Sequence, residues 1–266
     1  MAGVVILSLA VSLLSSCSYT PKTGIILAGS TSVQPYAEIL AEEYMILHPD
    51  VSIDIQGGGS SAGIMAAQSG TADIGMSSRA LKGEEKSLTA IEIAIDGLAV
   101  VVNPRNPIMD LSLDQVRDIY LSKITDWSEL GGPKANIHVI TREDGSGTRS
   151  AFETLVMGDT QITPRAIVQD SNGAVRLLVK DDPYSIGFIS LGLVNETVKA
   201  LELGGVVTSR ENVINGSYKL SRLFIFMTNG EPTGKAKQFI DFTMSAEGQQ
   251  LLVHEGLIPS SEGAGQ

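Results

Sequence analysis

The sequence predicts an α/β protein of two lobes, with a mostly parallel sheet in each lobe. Three observations predict it. Short apolar segments of strand length alternate with segments whose apolar residues recur at helical spacing, and Gly/Ser turns join them, as in parallel α/β sheets. The chain has 266 residues, 43% of them hydrophobic, which is more than one core usually serves, so two cores are expected. Two stretches interrupt the alternation: Asn103–Pro107 (NPRNP), and a polar, turn-rich run ahead of Leu223. They mark two crossings between the lobes.

The elements follow in order. Val4–Leu14 is an apolar run of about eleven residues, too short for a span of roughly 20 and fitting the hydrophobic region of a secretory signal. Leu14-Ser15-Ser16-Cys17 is similar to a bacterial lipobox, in which the Cys carries the lipid. The expectation is therefore a signal peptide over 1–16, a lipid-bearing Cys17 and a polar tether over 17–23. The n-region has no Lys or Arg, a departure from the usual signal. Gly24–Ala28 is a short strand, and Val33–Leu47 a helix with Val33, Tyr36, Ala37, Leu40, Ala41, Tyr44, Met45 and Leu47 at helical spacing. Val51–Gln56 alternates as a half-buried strand does. Ala62–Gln68 is a short helix, Ala72–Met76 a strand, and Ile91–Val102 a strand with a β-branched run. Ser112–Leu121 is helical with Ser112 as N-cap. Asn136–Thr141 is a strand, Thr148–Val156 and Val175–Val179 are helical, and Ser185–Ser190 is a strand. Leu223–Met227 is a buried strand, and Lys235–Met244 and Gly248–His254 are helices, the latter stopped by Gly256 and Pro259. Lobe 1 is expected over 24–102 and 222–266, and lobe 2 over 103–221.

Charge and composition bound the function. Thirty acidic residues against 19 basic give a net charge of -11, which opposes binding to DNA or RNA. One Cys and three His exclude a disulfide within the chain and Cys/His zinc clusters. No cofactor is expected. A small anion stays open, because a pocket of backbone N–H groups can hold one against an unfavourable net charge.

Four loops share a type, each a Gly/Ser/Thr cluster that ends a strand and begins a helix: Gly29–Ser32, Gly57–Gly63, Met76–Arg79 and Arg142–Thr148. The first turn of a helix offers unpaired N–H groups and a positive dipole end. Ser and Thr add hydroxyl donors, and Arg can donate a bidentate pair to an oxyanion. In open α/β sheets such loops gather beyond the carboxyl ends of the strands. Other readings of the same residues exist. Gly59–Gly63 fits GxSxG with Ser61 as nucleophile, for which His254 is the one His that follows at a plausible distance. Gly57-x-Gly59-x-x-Ala62 is a fragment of a dinucleotide fingerprint without a clear acidic ribose partner, and no phosphate-loop GK[ST] occurs.

Taken in order, GSTSVQP (Gly29–Pro35), GGGSSAG (Gly57–Gly63), ADIGMSSR (Ala72–Arg79), REDGSGTR (Arg142–Arg149), DSNGAV (Asp170–Val175), SIGFISLG (Ser185–Gly192), TNGEP (Thr228–Pro232) and SAEGQQLL (Ser245–Leu252) resemble the phosphate-binding proteins of bacterial and archaeal phosphate ABC transporters. The resemblance runs from about Gly24 to Pro259. It implies a two-lobed type II periplasmic-binding-protein fold and a non-enzymatic extracytoplasmic receptor, which with the lipobox reading is expected to be a lipid-anchored monomer. Inorganic phosphate closes the cleft, and the closed form docks on an ABC permease. By resemblance, Ser30, Thr31 and Ser32 form the first anion loop, Ser60 and Ser61 the second, and Ser77, Ser78 and Arg79 the third. Arg142, Ser146, Gly147 and Thr148 come from the other lobe. Asp144 is expected to orient Arg142, and Arg149 to serve a solvated helix face. Several family members have an acidic residue where this chain has Ser78; that carboxylate accepts a phosphate proton and repels sulfate. Asp96 could stand in, or be structural. Sulfate or another tetrahedral oxyanion is the alternative ligand.

Overall fold

The computed structural model describes residues 23–260; the expected signal peptide, Cys17 and the tether up to residue 22 lie outside them, as do residues 261–266. Thr23, expected in the tether, already pairs with Val51 in the first strand. The first half comprises β1 (Thr23–Gly29), α1 (Gln34–Leu47), β2 (Val51–Gln56), α2 (Ser60–Ser69), β3 (Ile74–Ser77) and β4 (Thr89–Val102). The middle comprises β5 (Asp110–Leu111), α3 (Leu113–Tyr120), β6 (His138–Arg142), α4 (Gly147–Phe152), β7 (Ile167–Gln169), α5 (Asn172–Asp181), β8 (Ser185–Ser190), β9 (Lys199–Ala200), β10 (Glu202–Leu203) and α6 (Arg210–Ile214). The chain then returns through β11 (Ser221–Thr228), α7 (Gly234–Met244), α8 (Ala246–His254) and β12 (Ile258–Pro259).

The main sheet runs β2-β1-β3-β11-β4-β8-β6-β7. The outer strands are parallel: β2, β1 and β3 on one side, β8, β6 and β7 on the other. The strands at the middle are antiparallel, β11 to β3 and β4, and β4 to β8. The sheet is thus parallel in each half only up to the crossing strands, because the chain that leaves along β4 returns along β11. β4 changes partners within itself. Thr89–Gly97 face β11, and Leu98–Val102 face β8. This change precedes the Pro-rich turn Asn103–Pro107.

The two largest of the four buried clusters among the described residues lie on the two sides of that change. One gathers Tyr36, Leu40, Tyr44, Phe224, Phe226 and Phe239 around β1, β3 and β11. The other gathers Tyr120, Trp127, Phe152, Phe188 and Leu220, with the Phe152 and Phe188 rings stacked at 4.1 Å. Local sequence explains the elements that frame these cores. Ser112 accepts the Gln115 N–H while Gln115 accepts from the Ser112 N–H, a capping box that starts α3. Val116, Ile119 and Tyr120 are its buried face. Helix α2 starts at Ser60, two residues before the expected Ala62, and packs backbone to backbone on β1 and β3. A Cβ on Gly63 would stand 2.5 Å from Ala28 O and 2.7 Å from Met76 O, so only glycine allows this approach. The helix expected over Thr148–Val156 is α4 followed by a π-helical turn at Glu153–Met157.

Candidate anion-binding site

The carboxyl ends of β1, β3 and β6 and the starts of α2 and α4 converge where the two halves meet. Ser30, Ser32, Ser60, Ser78, Arg142, Ser146 and Thr148 are all buried there. Within the first half, Ser30 Oγ donates to Ser78 Oγ at 2.9 Å, and the Ser78 N–H donates to Ser60 Oγ at 3.0 Å. From the other half Gly147 closes against this group: a Cβ there would fall within 2.5 Å of Ser78 Oγ and closer still to Ser60 Oγ. The Ser61 N–H donates to Gly145 O at 3.1 Å across the same boundary.

Ser32 is a junction between the halves. Its Oγ accepts from Asn172 Nδ2 at 2.8 Å and from Arg222 Nη2 at 3.1 Å, and lies 2.7 Å from Thr148 Oγ1. A hydroxyl has two acceptor sites and one proton. With both acceptor sites taken, Ser32 donates to Thr148, which leaves the Thr148 proton available to another acceptor.

Arg142, at the end of β6, is 1% exposed. Its Nε and Nη2 donate to the two carboxylate oxygens of Glu143, each at 2.9 Å, and Nη2 also reaches Asp170 O at 2.9 Å and Thr31 Oγ1 at 3.2 Å. Its Nη1 is buried and has no hydrogen-bond partner among the described residues. A second arginine repeats this arrangement. Arg222 on β11 stands directly opposite Asp96 on β4, and its Nε and Nη2 donate to Asp96 Oδ2 at 3.1 and 3.0 Å. Its Nη1 is likewise buried without a partner among the described residues. Asp96 Oδ1 accepts from Ser190 Oγ at 2.8 Å. Burial is the largest influence on the Asp96 carboxyl and pushes it up; the Arg222 guanidinium and the Ser190 hydroxyl act against it. Burial pushes the Arg222 guanidinium down, and the Arg142 charge acts in the same direction.

Three expected roles are corrected. Asp144 does not orient Arg142. It is 93% exposed at its side chain and pairs with Arg149 at 2.6 Å; the adjacent Glu143 holds Arg142 instead. The turn after β6 points Asp144 outward and folds Glu143 back onto the guanidinium edge. Arg149 is not a free surface charge. It pairs with Asp144 and Glu153 and donates from Nη1 to Arg142 O at 3.0 Å, bracing the strand end. The Ser77 hydroxyl donates to Arg79 O at 2.8 Å and accepts the Arg79 N–H at 3.2 Å, a local turn that occupies it.

Arg79 makes a bidentate pair with Glu85, at 2.7 and 2.8 Å, and reaches Ser61 Oγ only at 3.4 Å. It lines, with Lys82, Ser150, Leu155 and Arg222, a cavity of about 260 Å³ that opens between the halves beside the serine cluster. Ser146 caps α4 by accepting the Arg149 N–H at 3.2 Å. His254 is exposed, with its Nδ1 on Glu255, and Ser61 contacts no histidine among the described residues.

The profile of the PBP superfamily domain matches residues 18–247. The phosphate-binding protein PstS of Bacillus subtilis (strain 168) is 33% identical over 242 residues, 89% of this chain and 80% of that protein. This chain belongs to the PstS family. Among solved structures, one from Clostridium perfringens, described as a phosphate ABC transporter substrate-binding protein with bound phosphate, superimposes with a TM-score of 0.87 at 45% identity. It covers 90% of this chain and all of that one. An ABC-type phosphate transport receptor from Vibrio cholerae gives a TM-score of 0.74 at 37% identity, over 89% of this chain and all of that one.

Glu143, Asn172 and Arg222 also contact this buried cluster, and none of them was among the expected site residues. Asn172 lay inside a recognised landmark, DSNGAV, but asparagine at a helix start reads first as a cap. Arg222 carried one usable signal, a lone charge heading a buried apolar strand at a crossing.

Proposed function

We propose that this protein is a phosphate receptor that delivers inorganic phosphate to an ABC import permease. The observation that carries the reading is Arg142: a guanidinium 1% exposed, clamped on one edge by Glu143, whose Nη1 has no partner among the described residues. A buried cationic donor without a partner is costly, and an oxyanion between the halves would satisfy it. Thr31, Ser60, Ser61, Ser78, Ser146, Gly147 and Thr148 would supply directed donors around that charge, and Ser30 and Ser32, whose hydroxyls donate to Ser78 and Thr148, would hold those two groups in place. Ser77 and Arg79 would support the third loop, and Asp144 would steady Arg149. The relatives named above, described as phosphate-binding, support phosphate as the ligand.

The mechanism is capture. The hydroxyl loops of β1, α2 and β3 and the Arg142–Thr148 loop stand on opposite sides of the crossing strands, so only the closed form presents all donors at once. The ligand stabilises closure by its differential affinity for that form. Of the described residues, we assign 23–97 and 221–260 to lobe 1 and 98–220 to lobe 2, with the boundary where β4 changes partners rather than at residue 102. No covalent step is assigned, and no cofactor or metal is required. A signal peptide over 1–16 with lipid on Cys17 would hold the receptor outside the cytoplasmic membrane as a tethered monomer. Among the described residues no helix is long and apolar enough to cross a membrane. Calorimetric titration with phosphate, sulfate and molybdate tests the reading. Saturable one-to-one phosphate binding is expected, and no heat with phosphate together with strong binding of molybdate would replace the ligand.

A further inference from the structure

We infer that Arg222 is a second anion-binding guanidinium of this site, and that the pair of arginines makes it a site for tetrahedral dianions that needs no carboxylate to accept a ligand proton. The inference rests on the receptor reading above. Arg142 and Arg222 are built alike. Each offers its Nε–Nη2 edge to one carboxylate, Glu143 or Asp96, and each keeps a buried Nη1 without a partner among the described residues. They come from different strands, β6 and β11, yet touch neighbouring residues of one loop: Arg142 Nη2 on Thr31 Oγ1 at 3.2 Å, Arg222 Nη2 on Ser32 Oγ at 3.1 Å. Two cations converging on one buried loop repel each other, and an anion shared by their free Nη1 groups offsets that repulsion.

The same geometry settles what else faces the anion. The two carboxylates that touch these guanidiniums are engaged on both oxygens. Asp96 Oδ1 accepts from Ser190 and Oδ2 from Arg222, while Glu143 accepts from Arg142 on each oxygen. The cavity that Arg222 lines holds no carboxylate; its other polar lining is Arg79, Lys82, Ser150, Thr154 and Ser221. Ser78, buried among Ser30 and Ser60, can accept a proton but brings no charge to repel an anion that has none to give. The ligand class is therefore a tetrahedral oxyanion of charge −2, hydrogen phosphate or sulfate.

The experiment is calorimetric titration of the full chain with phosphate alone, sulfate alone, and phosphate in the presence of sulfate. Removing Arg222 alone would strand a buried Asp96 charge, so the first variant is the neutral pair Asp96→Asn/Arg222→Gln, with its melting temperature measured alongside. Arg222→Lys keeps the charge and the Asp96 pair, and serves as the second variant. The wild type is expected to bind both anions at one competitive site. The double variant should bind each about 30- to 100-fold more weakly, and Arg222→Lys about tenfold more weakly, because an ammonium cannot serve Asp96 and the anion with one planar fork. Arg222 is only a structural clamp if the folded double variant, or Arg222→Lys should the double variant not fold, binds phosphate within about threefold of wild type. Wild-type phosphate binding untouched by sulfate would overturn the dianion assignment. Wild type that binds neither anion would overturn the receptor reading itself.

Discussion

At Arg142 three kinds of partner meet: a carboxylate, two carbonyls and a hydroxyl from the opposite loop. Charge-assisted hydrogen bonds of this kind are each worth on the order of 1.5–3 kcal/mol, so Arg142→Ala should weaken phosphate binding by about 2–4 kcal/mol in a calorimetric titration, with Lys restoring only part of it. The neighbouring carboxylates separate cleanly. Glu143→Gln should weaken binding by about 1–2 kcal/mol because it loosens the guanidinium, whereas Asp144→Ala should cost under about 0.5 kcal/mol at an exposed position. Equal effects of the two substitutions would contradict the assignment. Ser78→Asp should raise the ratio of phosphate to sulfate affinity, since a buried carboxylate among Ser30 and Ser60 would accept from a protonated ligand and repel an unprotonated one. An unchanged ratio would place the discrimination elsewhere. Arg142 was legible because it leads a Gly/Ser loop at a strand end. Which of two adjacent acids turns back onto it was not, since that depends on the backbone of one turn. Arg222 was not legible as a site residue because its partners, Asp96 and Ser32, are brought to it only by strand pairing across the crossing.

Elements place these residues by close approach. Gly147 at the start of α4 lets the second half come within van der Waals contact of Ser60 and Ser78. Gly147→Ala should hold the halves apart and weaken phosphate affinity by at least roughly tenfold, while the melting temperature of the ligand-free protein changes little, because the clash exists only in the closed form. Affinity like wild type would mean that the loops do not meet in the bound state. The segment from Ala80 to Ser87 is pinned by the Arg79–Glu85 pair, and the Arg79 hydrogen bond holds the Glu85 carboxyl below its ordinary value. A depressed carboxyl stabilises the fold above its unfolded value and loses that contribution as the pH falls through the folded value. Stability should therefore drop below about pH 4, by no more than about 1 kcal/mol from this pair, and Glu85→Gln should remove that part of the acid sensitivity in melts at pH 3 and pH 6. The long elements were legible: α1, β2, β8 and the Ser112 cap match the sequence pattern nearly residue for residue. The strands β5, β7, β9, β10 and β12 span two or three residues each, too few for any period to show. The antiparallel crossing strands were also unreadable, since a continuous apolar run does not tell its direction.

The whole molecule is a sheet interrupted at its middle, where β4 and β11 carry the Asp96–Arg222 pair and join two cores. Ser32, Ser61 and Arg142 make hydrogen bonds between the two halves, and these are the bonds that the proposed closure would make and break. The net charge of -11 does not prevent anion capture, because the serine cluster and both guanidiniums are buried, where local donors outweigh a screened surface field. At the other end of the chain, Cys17→Ser should move the protein from the membrane fraction to the soluble fraction on cell fractionation, and unchanged membrane association would remove the lipid anchor from the account. Capture of phosphate by lobe closure is the central claim. Small-angle X-ray scattering of the ligand-free protein, titrated with phosphate, tests it most directly. The account predicts a radius of gyration that falls as phosphate saturates one site and that does not fall for Arg142→Ala at the same phosphate concentrations; a radius unchanged at saturating phosphate in the wild type would contradict it.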